Sequence, residues 1–228
     1  MPSDHFCFLF TFDFSSFHER KNPQGVVRAF EKAFPAGSEA VALVIKTVNA
    51  EAEPLAWKQL SSRCAFDKRI TLLNESFTRS KMDALFERAD AYVSLHRAEG
   101  FGRGLAEALL RGKPVIATAY SGSEEICRAN TAYLVDFELV PIAPGEYLDD
   151  AVGLLWAEPN VDSAAKAMRE VVQHPAKARA RAQRGRKLVQ QQYSVQAIGE
   201  QLDGYLQALL GRSGGKGGKK KLPKSAAR

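Results

Sequence analysis

The fold of this chain is decided by the stretch Glu99-Gly100-Phe101-Gly102-Arg103-Gly104-Leu105-Ala106-Glu107. An apolar run over residues 89–95 precedes it and predicts a buried strand, whereas a helical pattern follows it and ends at Gly112. A strand, glycine loop and helix in this order point backbone N–H groups and the positive end of a helix dipole at one place, which suits an anionic phosphate. A glutamate stands on either side of that place, where each can bind the hydroxyl groups of a ligand.

Apolar runs and helical patterns alternate along the rest of the chain. Strands are predicted over residues 6–12, 40–46, 69–73, 90–95, 114–118 and 131–135, and helices over 24–34, 54–64, 80–88 (capped by Ser80) and 103–111. Ser121-Gly122-Ser123-Glu124 resembles a capping box. Beyond residue 160 three helices are predicted, over 162–174, 176–192 and from Ser194 to about Leu210. The pattern predicts an α/β fold, a doubly wound Rossmann-like parallel sheet of about six strands with helices on both faces, followed by C-terminal helices.

Length and composition are those of a globular protein: the chain has 228 residues, of which 45% are hydrophobic and 25% charged. No apolar run approaches the roughly 20 residues that cross a bilayer. The first apolar run, residues 6–12, lacks a basic lead and a cleavage site, so it predicts a core strand and not a signal peptide. Cys7, Cys64 and Cys127 are widely spaced and form no metal-ligand pattern, which favours reduced thiols in the cytoplasm.

The net charge of +6 comes from the C-terminal end of the chain. Residues 212–228 carry seven basic and no acidic side chains, which leaves −1 for residues 1–211. We expect two regions: a folded domain over 1–211 and a disordered Gly/Lys-rich tail over 212–228. The tail has no interleaved aromatic residues, so no specific nucleic-acid partner is expected. A second basic cluster over residues 177–187 is a solvated helix face or a weak contact with an anionic membrane.

Several further motifs appear in a fixed order around the glutamate stretch. Glu19-Arg20-Lys21-Asn22-Pro23 follows the first strand, Ser94-Leu95 stands before Glu99, and Gly112-Lys113-Pro114-Val115-Ile116-Ala117 follows Glu107. The series resembles the C-terminal, donor-binding domain of family-4-type (group 1) retaining glycosyltransferases of the GT-B fold. The resemblance covers roughly residues 6–210. It implies hexosyl transfer from a nucleotide-diphosphate sugar with retention of configuration, without a metal or other cofactor.

The resemblance also implies roles for individual residues. Arg20 and Lys21 would hold the donor diphosphate and stabilise the leaving group, and Glu99 would bind hydroxyls of the transferred sugar as the third catalytic residue. Glu107 would bind the ribose hydroxyls, and Asn74 would lie along the base. The loop residues expected to bind the donor are Gly100, Phe101, Gly102, Arg103 and Gly104. The base stays open between GDP, UDP and ADP.

The sequence departs from the family pattern in two places and covers only part of it. Arg103-Gly104 stands where an apolar pair is common, and Gly104 weakens the first helical turn by about 1 kcal/mol relative to Ala. Asp13-Phe14-Ser15-Ser16 replaces the usual Gly-Arg after the first strand. We expect the N-terminal acceptor-binding domain of the family to be missing from this sequence. We therefore expect a glycan or lipid-linked acceptor to be reached through that missing domain or a partner chain, with weak or absent transfer by this chain alone.

Other functions are compatible with parts of the pattern. A non-catalytic nucleotide-sugar or nucleotide-binding module, or a truncated relic, would keep the same loop. An oxidoreductase domain is disfavoured because no Gly-x-Gly-x-x-Gly follows the first strand. Glu107 also has Arg111 four residues on, so an ordinary helix-surface pair competes with the ribose role. The sequence predicts a cytoplasmic protein, with peripheral contact at the inner face of the membrane as an addition.

Overall fold

The computed structural model describes residues 4–212 of the chain. The strands are β1 (Phe6–Thr11), β2 (Val41–Thr47), β3 (Ile70–Asn74), β4 (Ala91–Ser94), β5 (Val115–Thr118), β6 (Tyr133–Val135), β7 (Phe137–Pro141) and β8 (Leu155–Pro159). The helices are α1 (His18–Lys21), α2 (Pro23–Ala33), α3 (Pro54–Cys64), α4 (Arg79–Arg88), α5 (Arg103–Leu110), α6 (Val161–Gln173), α7 (Pro175–Tyr193) and α8 (Val195–Arg212). The predicted disordered tail lies, from residue 213 onward, outside the described residues.

Strands β1 to β6 form one parallel sheet in the order β3-β2-β1-β4-β5-β6. The chain winds outward from β1 to β3 and then returns to pair β4 with β1, so the winding reverses between these two strands. Open α/β sheets bind ligands at such a switch, beyond the carboxyl ends of the strands. The predicted fold class is confirmed.

Helices cover both faces of this sheet. On one face, the ring of Phe8 in β1 lies 6.3 Å from that of Phe30 in α2, and α6 packs beside α2. On the other face, Tyr92 of β4 stacks on Phe86 of α4 at 5.7 Å. Phe8, Phe30 and Phe86 are fully buried, because both sides of a parallel sheet need apolar cover.

An antiparallel pair, β7 and β8, stands apart from the main sheet between β6 and α6. No strands were predicted here. Three of the five positions of β7 are exposed, so the strand does not show the apolar run or alternation that marks a strand in a sequence. The pair and its connecting loop have a small core of their own, formed by Ile142, Ala151 and Trp156 with Val140 and Tyr147 packed against it. We call residues 137–159 the hairpin.

Two predicted helix starts are wrong and one is confirmed. Helix α4 is capped by Thr78, whose Oγ1 accepts from the Lys81 amide, and not by Ser80. Residues 121–125 form a 3₁₀ turn without a side-chain cap, so the capping box is absent. Ser194 does cap α8, since its Oγ accepts from the Ala197 amide at 3.1 Å. Cap residues are set by local contacts that a pattern of apolar spacing does not contain.

The chain divides into two compact units between Val189 and Gln190, and the site described below lies in the first. Cys7, Cys64 and Cys127 are buried, and no disulfide joins them. None of the helices in residues 4–212 combines the length and apolar character that crossing a membrane requires.

The aromatic packing under α2 gives a test of the fold. Phe30→Ala should lower the free energy of unfolding by about 3–5 kcal/mol, because a fully buried ring leaves a cavity. Urea denaturation measures this change. Phe66 is 90% exposed, so Phe66→Ala should change the same quantity by no more than about 0.5 kcal/mol. Equal effects of the two substitutions would contradict the packing of α2 on β1.

Candidate functional site

A cavity of about 450 Å³ lies beyond the carboxyl ends of β1 and β4, at the switch in the winding of the sheet. Its residues come from five stretches of the chain: the end of β1 with α1, the end of β2, α4, β4, and the glutamate loop with α5. Its lining residues are Thr11, Phe12, Asp13, Ser16, Arg20, Lys21, Lys46, Met82, Phe86, Tyr92, Ser94, Glu99, Gly102, Arg103, Gly104, Leu105 and Glu107. Most of the predicted site residues are therefore brought to one place.

Arg20 and Lys21 end the short helix α1, and both turn toward Glu99. Lys21 Nζ donates to Glu99 Oε2, and Arg20 Nη1 lies 3.6 Å from the same oxygen. Arg20 also donates to the carbonyl oxygens of Ala98 (2.8 Å) and Ser16 (3.2 Å). The three charged side chains are only 15–17% exposed, so this ion pair is largely shielded from solvent.

The charges in this cluster shift one another's titration. Burial alone would raise the pKa of Glu99, but the hydrogen bond and charge of Lys21, together with Arg20, outweigh it and lower that pKa. Burial lowers the pKa of Lys21 despite its bond to Glu99, and repulsion from Arg20 and Arg103 adds to the effect. Glu99 is thus paired with two cations, and the charge of Arg103 is close enough to act on Lys21, so positive charge is left available for an anion.

The backbone of the glutamate loop is held by Ser121. Its Oγ accepts from the Glu99 amide at 2.9 Å and donates to the Glu99 carbonyl at 3.0 Å, and the Gly122 amide donates to the same carbonyl at 2.9 Å. The Ser121 hydroxyl, which was expected to belong to a capping box, instead forms these two hydrogen bonds with Glu99. The position of Glu99 is therefore fixed from β5 as well as from β4.

Helix α5 points its N-terminus into the cavity. Gly102 is the N-cap residue and has φ of +85°, a conformation that favours glycine. Gly104 is needed for a different reason: a Cβ there would lie 2.3 Å from the Tyr92 hydroxyl. That hydroxyl hydrogen-bonds Thr11 Oγ1 at 2.8 Å, and burial raises the pKa of Tyr92 to about 12. Glycine at position 104, where the sequence departs from the expected pattern, thus makes room for the Tyr92 hydroxyl beneath the first turn of α5.

Glu107 also lines the cavity, from the second turn of α5. Its carboxylate is 36% exposed and lies 3.6 Å from Arg111 Nη1 and 3.8 Å from Arg79 Nη1. The side chain lines the cavity and also forms the helix-surface pair with Arg111, so the ribose role stays a prediction. The two glutamates thus differ: Glu99 is mostly buried with two cations, and Glu107 is half-exposed with two others.

Three predicted site residues lie elsewhere. Gly100 lines a neighbouring recess together with Ser121. Neither Phe101 nor Asn74 is among the residues that line these two cavities; Asn74 ends β3 and is exposed. Their predicted contacts with the donor therefore stay predictions.

Lys46 and Tyr92 are two of the lining residues that were not expected from the sequence. Lys46 is the last residue but one of β2 and is 8% exposed, and burial lowers its pKa against the attraction of Asp13 and Glu75. Tyr92 is an inward-facing strand residue of ordinary appearance. Lys46 carries a recognisable signal, because a lone charge that directly follows five apolar strand residues is costly to bury without a purpose. Tyr92 carries none.

His96 follows β4 but does not line the cavity. Its ring is fully buried between two hydroxyls, with Nδ1 3.1 Å from Ser94 Oγ and Nε2 3.0 Å from Ser123 Oγ. Burial lowers the pKa of His96 to about 4, so the ring is neutral at pH 7. It joins the end of β4 to the 3₁₀ turn that carries Ser121.

Residues 11–188 match the family model of glycosyl transferases group 1. The chain belongs to this family. No characterised protein sequence matches it significantly. In the residues that the structure describes, no group of three or more His, Cys, Asp or Glu is arranged to hold a metal ion.

Solved structures share the fold of this group 1 chain. Sucrose-phosphate synthase from Thermosynechococcus elongatus is 21% identical with a TM-score of 0.69, over 93% of this chain and 47% of that one. Anabaena Alr3699/HepE in complex with UDP-glucose is 18% identical with a TM-score of 0.67, over 90% and 49%. The C-terminal domain of a Francisella tularensis group 1 protein, LpcC, is 18% identical with a TM-score of 0.60, over 82% and 86%. The chain thus spans about half the length of the first two.

The burial of His96 predicts a pH-dependent stability. Because its folded pKa of about 4 is below the unfolded value near 6.5, the unfolded chain binds more protons between these pH values. The free energy of unfolding should therefore fall as pH drops through this window, by up to about 3 kcal/mol. Urea denaturation at several pH values should show a flatter dependence for His96→Asn. Parallel curves for the two proteins would contradict the neutral, buried ring.

Proposed function

We propose that this chain is the donor-binding half of a retaining glycosyltransferase that transfers a hexosyl group from a nucleotide-diphosphate sugar. The observation that carries this proposal is the charge arrangement of the cavity. Arg20 and Lys21 contact Glu99, and the N-terminus of α5 lies in the same cavity. A second carboxylate, Glu107, also lines this cavity. The nucleotide base, the sugar and the acceptor stay open.

The cation cluster suits a departing diphosphate. When the bond between the sugar carbon and the phosphate oxygen breaks, its electron pair goes to that oxygen and negative charge accumulates there. Fixed cations and helix N–H groups that face this charge lower the barrier without reorganising. Arg20, Lys21 and Arg103 line the cavity beside the first turn of α5. We infer that they supply this charge and that no metal is required.

Glu99 fits a sugar ligand better than a nucleophile. Its carboxylate is already bound by Lys21 and Arg20, which lowers its pKa and its reactivity toward carbon. Retaining hydrolases use two carboxylates across the scissile bond. In this cavity the other glutamate stands on α5 with its own arginine partners. We infer that the acceptor hydroxyl attacks from the face that the diphosphate leaves and passes its proton to the departing phosphate oxygen.

We limit the proposed role of this chain to donor binding, because it matches only about half of the length of two structural neighbours. Sucrose-phosphate synthase and Alr3699/HepE are about twice as long as the segment they share with it, and the latter is described in complex with UDP-glucose. We propose that residues 1–211 bind the nucleotide sugar and that the glycan or lipid-linked acceptor is met through a further domain or partner chain. Three buried cysteines that form no disulfide favour the cytoplasm. Peripheral membrane contact through the basic face of α7 is a further proposal.

A non-catalytic nucleotide-sugar-binding module is the second candidate. The same cavity supports this candidate, because binding of a nucleotide sugar needs the cations and the glutamates but no acceptor. Release of nucleoside diphosphate from a nucleotide sugar, by this chain alone or with a partner, separates the two candidates. If sugar is released, NMR of the first anomer formed tests retention.

The direct test is a thermal-shift screen of UDP-, GDP- and ADP-sugars and their nucleoside diphosphates. A donor should raise the melting temperature because it binds the folded state alone. Absence of any shift, supported by calorimetric titration at millimolar ligand, would reject donor binding and both candidate functions together.

The diphosphate role of Lys21 makes a directional prediction. Lys21→Ala should weaken nucleoside diphosphate binding about tenfold, because a charge-assisted contact is lost, and should leave nucleoside binding nearly unchanged. Isothermal titration calorimetry gives both affinities. Lys58 is an exposed lysine outside the cavity, so Lys58→Ala is the matched control and should change neither. Equal losses for nucleoside and nucleoside diphosphate would contradict this role.

The two glutamates should separate by ligand. Glu107→Ala should weaken nucleoside and nucleotide-sugar binding alike, whereas Glu99→Ala should spare nucleoside diphosphate and weaken the sugar-linked form by about fivefold or more. Calorimetry of the three ligands measures this pattern, with Glu51→Ala, an exposed glutamate, as control. If Glu99→Ala lowers the affinities for nucleoside diphosphate and for the nucleotide sugar equally, Glu99 does not bind the sugar. Unchanged nucleoside affinity in Glu107→Ala rejects the ribose role.

A further inference from the structure

A second cavity, of about 500 Å³, continues from the first on the far side of Glu99. It shares Ser16, Arg20 and Glu99 with the first cavity, so a ligand can extend past the carboxylate without leaving the protein surface. Its other lining residues are Phe17, Ala98, Gly100, Ser121 and Tyr147. We call it the hairpin recess, because Tyr147 belongs to the hairpin.

One wall of the hairpin recess is aromatic. The rings of Phe17 and Tyr147 meet edge to face with their centroids 4.7 Å apart, although 130 positions separate the two residues in the chain. Tyr147 is supported by the hairpin core, where it lies 6.4 Å from the ring of Trp156. Such aromatic pairs prefer this edge-to-face geometry.

The backbone at Phe17 is strained. This residue has φ of 58° and ψ of 90°, a left-handed conformation that is unusual for a large side chain. Such a conformation is costly and persists only where the surroundings impose it. Phe17 nevertheless keeps its ring 40% exposed at the recess, so the strain is not offset by burying that ring in the core.

The hairpin is held against the site by Arg97. The Arg97 guanidinium donates to Glu158 Oε2 at 2.6 Å and to Glu19 Oε2 at 2.8 Å, and it lies 4.9 Å from the ring of Trp156. Its backbone carbonyl accepts from the Ala157 amide at 3.0 Å. Tyr147 therefore belongs to a segment that is fixed to the strand end carrying Glu99.

The recess is apolar on one side and charged on the other. Phe17, Tyr147 and Ala98 present carbon atoms, while Arg20 and Glu99 present hydrogen-bonding groups on the side shared with the first cavity. A pyranose ring has the matching character, because its C–H groups offer an apolar face and its hydroxyls lie around the edge. Few polar groups placed against an apolar wall are the usual composition of a small-ligand site.

We propose that the hairpin recess is a pyranose subsite, with Phe17 and Tyr147 as the residues that determine which ring is accepted. The inference rests on the proposed function, since it takes the diphosphate to occupy the first cavity. The ring comes from one of two sources, the transferred sugar of the donor or a sugar of the acceptor. Both share the same chemistry, and the experiment separates them.

The test compares Tyr147→Ala and Phe17→Gly with the wild type. Glycine removes the Phe17 ring and adopts its backbone conformation without strain, so this variant should fold even if Tyr147→Ala disturbs the hairpin. Leu148→Ala is the control, because Leu148 is an exposed neighbour that does not line the recess. Calorimetry would use the nucleotide sugar that gives the largest thermal shift and its nucleoside diphosphate. Saturation-transfer NMR would use methyl α-glucoside in the presence of that diphosphate.

If the ring belongs to the donor, both variants should bind the nucleotide sugar about fivefold more weakly and the diphosphate within about twofold of wild type. If it belongs to the acceptor, nucleotide-sugar affinity should be kept, and the methyl α-glucoside signal seen with wild type should be lost in both variants. Unchanged binding of both probes would overturn the subsite, as would equal losses for sugar-linked and free diphosphate. Failure of wild type to bind any nucleotide would reject the proposed function itself, and the subsite with it.

Discussion

The ion pair between Glu99 and the cations of α1 is the interaction on which the rest of the site depends. Lys21 and Arg20 follow β1, whereas Glu99 follows β4, so their contact joins the two strand ends at the switch in the sheet. Burying three charges is costly, and removing one partner would leave the others uncompensated. The pair therefore joins two walls of the cavity, and the cations beside it favour an anionic ligand there.

Arg97 extends this constraint to the hairpin. Its amide donates to the Arg20 carbonyl at 2.8 Å, its side chain reaches Glu19 and Glu158, and its carbonyl accepts from β8. One residue thus connects α1, the glutamate loop and the hairpin. Because Arg97 does not line either cavity, it acts as a positioning residue. The cations, the carboxylate and the aromatic wall are held by one hydrogen-bonded unit.

The sequence predicted the sheet, and most of its predicted site residues line one cavity, for a local reason. Strands of Val, Ile, Leu and Phe separated by helical spacing specify parallel α/β order, and residues just after such strands must meet at one edge. The hairpin was not predicted, because β7 exposes most of its side chains. Ser121 was assigned to a capping box, since the spacing to Glu124 fits one; its hydroxyl instead binds Glu99, a partner 22 positions away.

The sequence by itself determined the fold class and the residues Arg20, Lys21, Glu99 and Glu107, because glycines, charges and apolar runs at fixed spacing restrict the backbone locally. Only the tertiary structure decided what those residues contact. The approach of Tyr92 to Gly104, the burial of Lys46 and the meeting of Phe17 with Tyr147 all join distant segments. Such contacts depend on how strands and loops pack across the sheet, and no spacing along the chain encodes them.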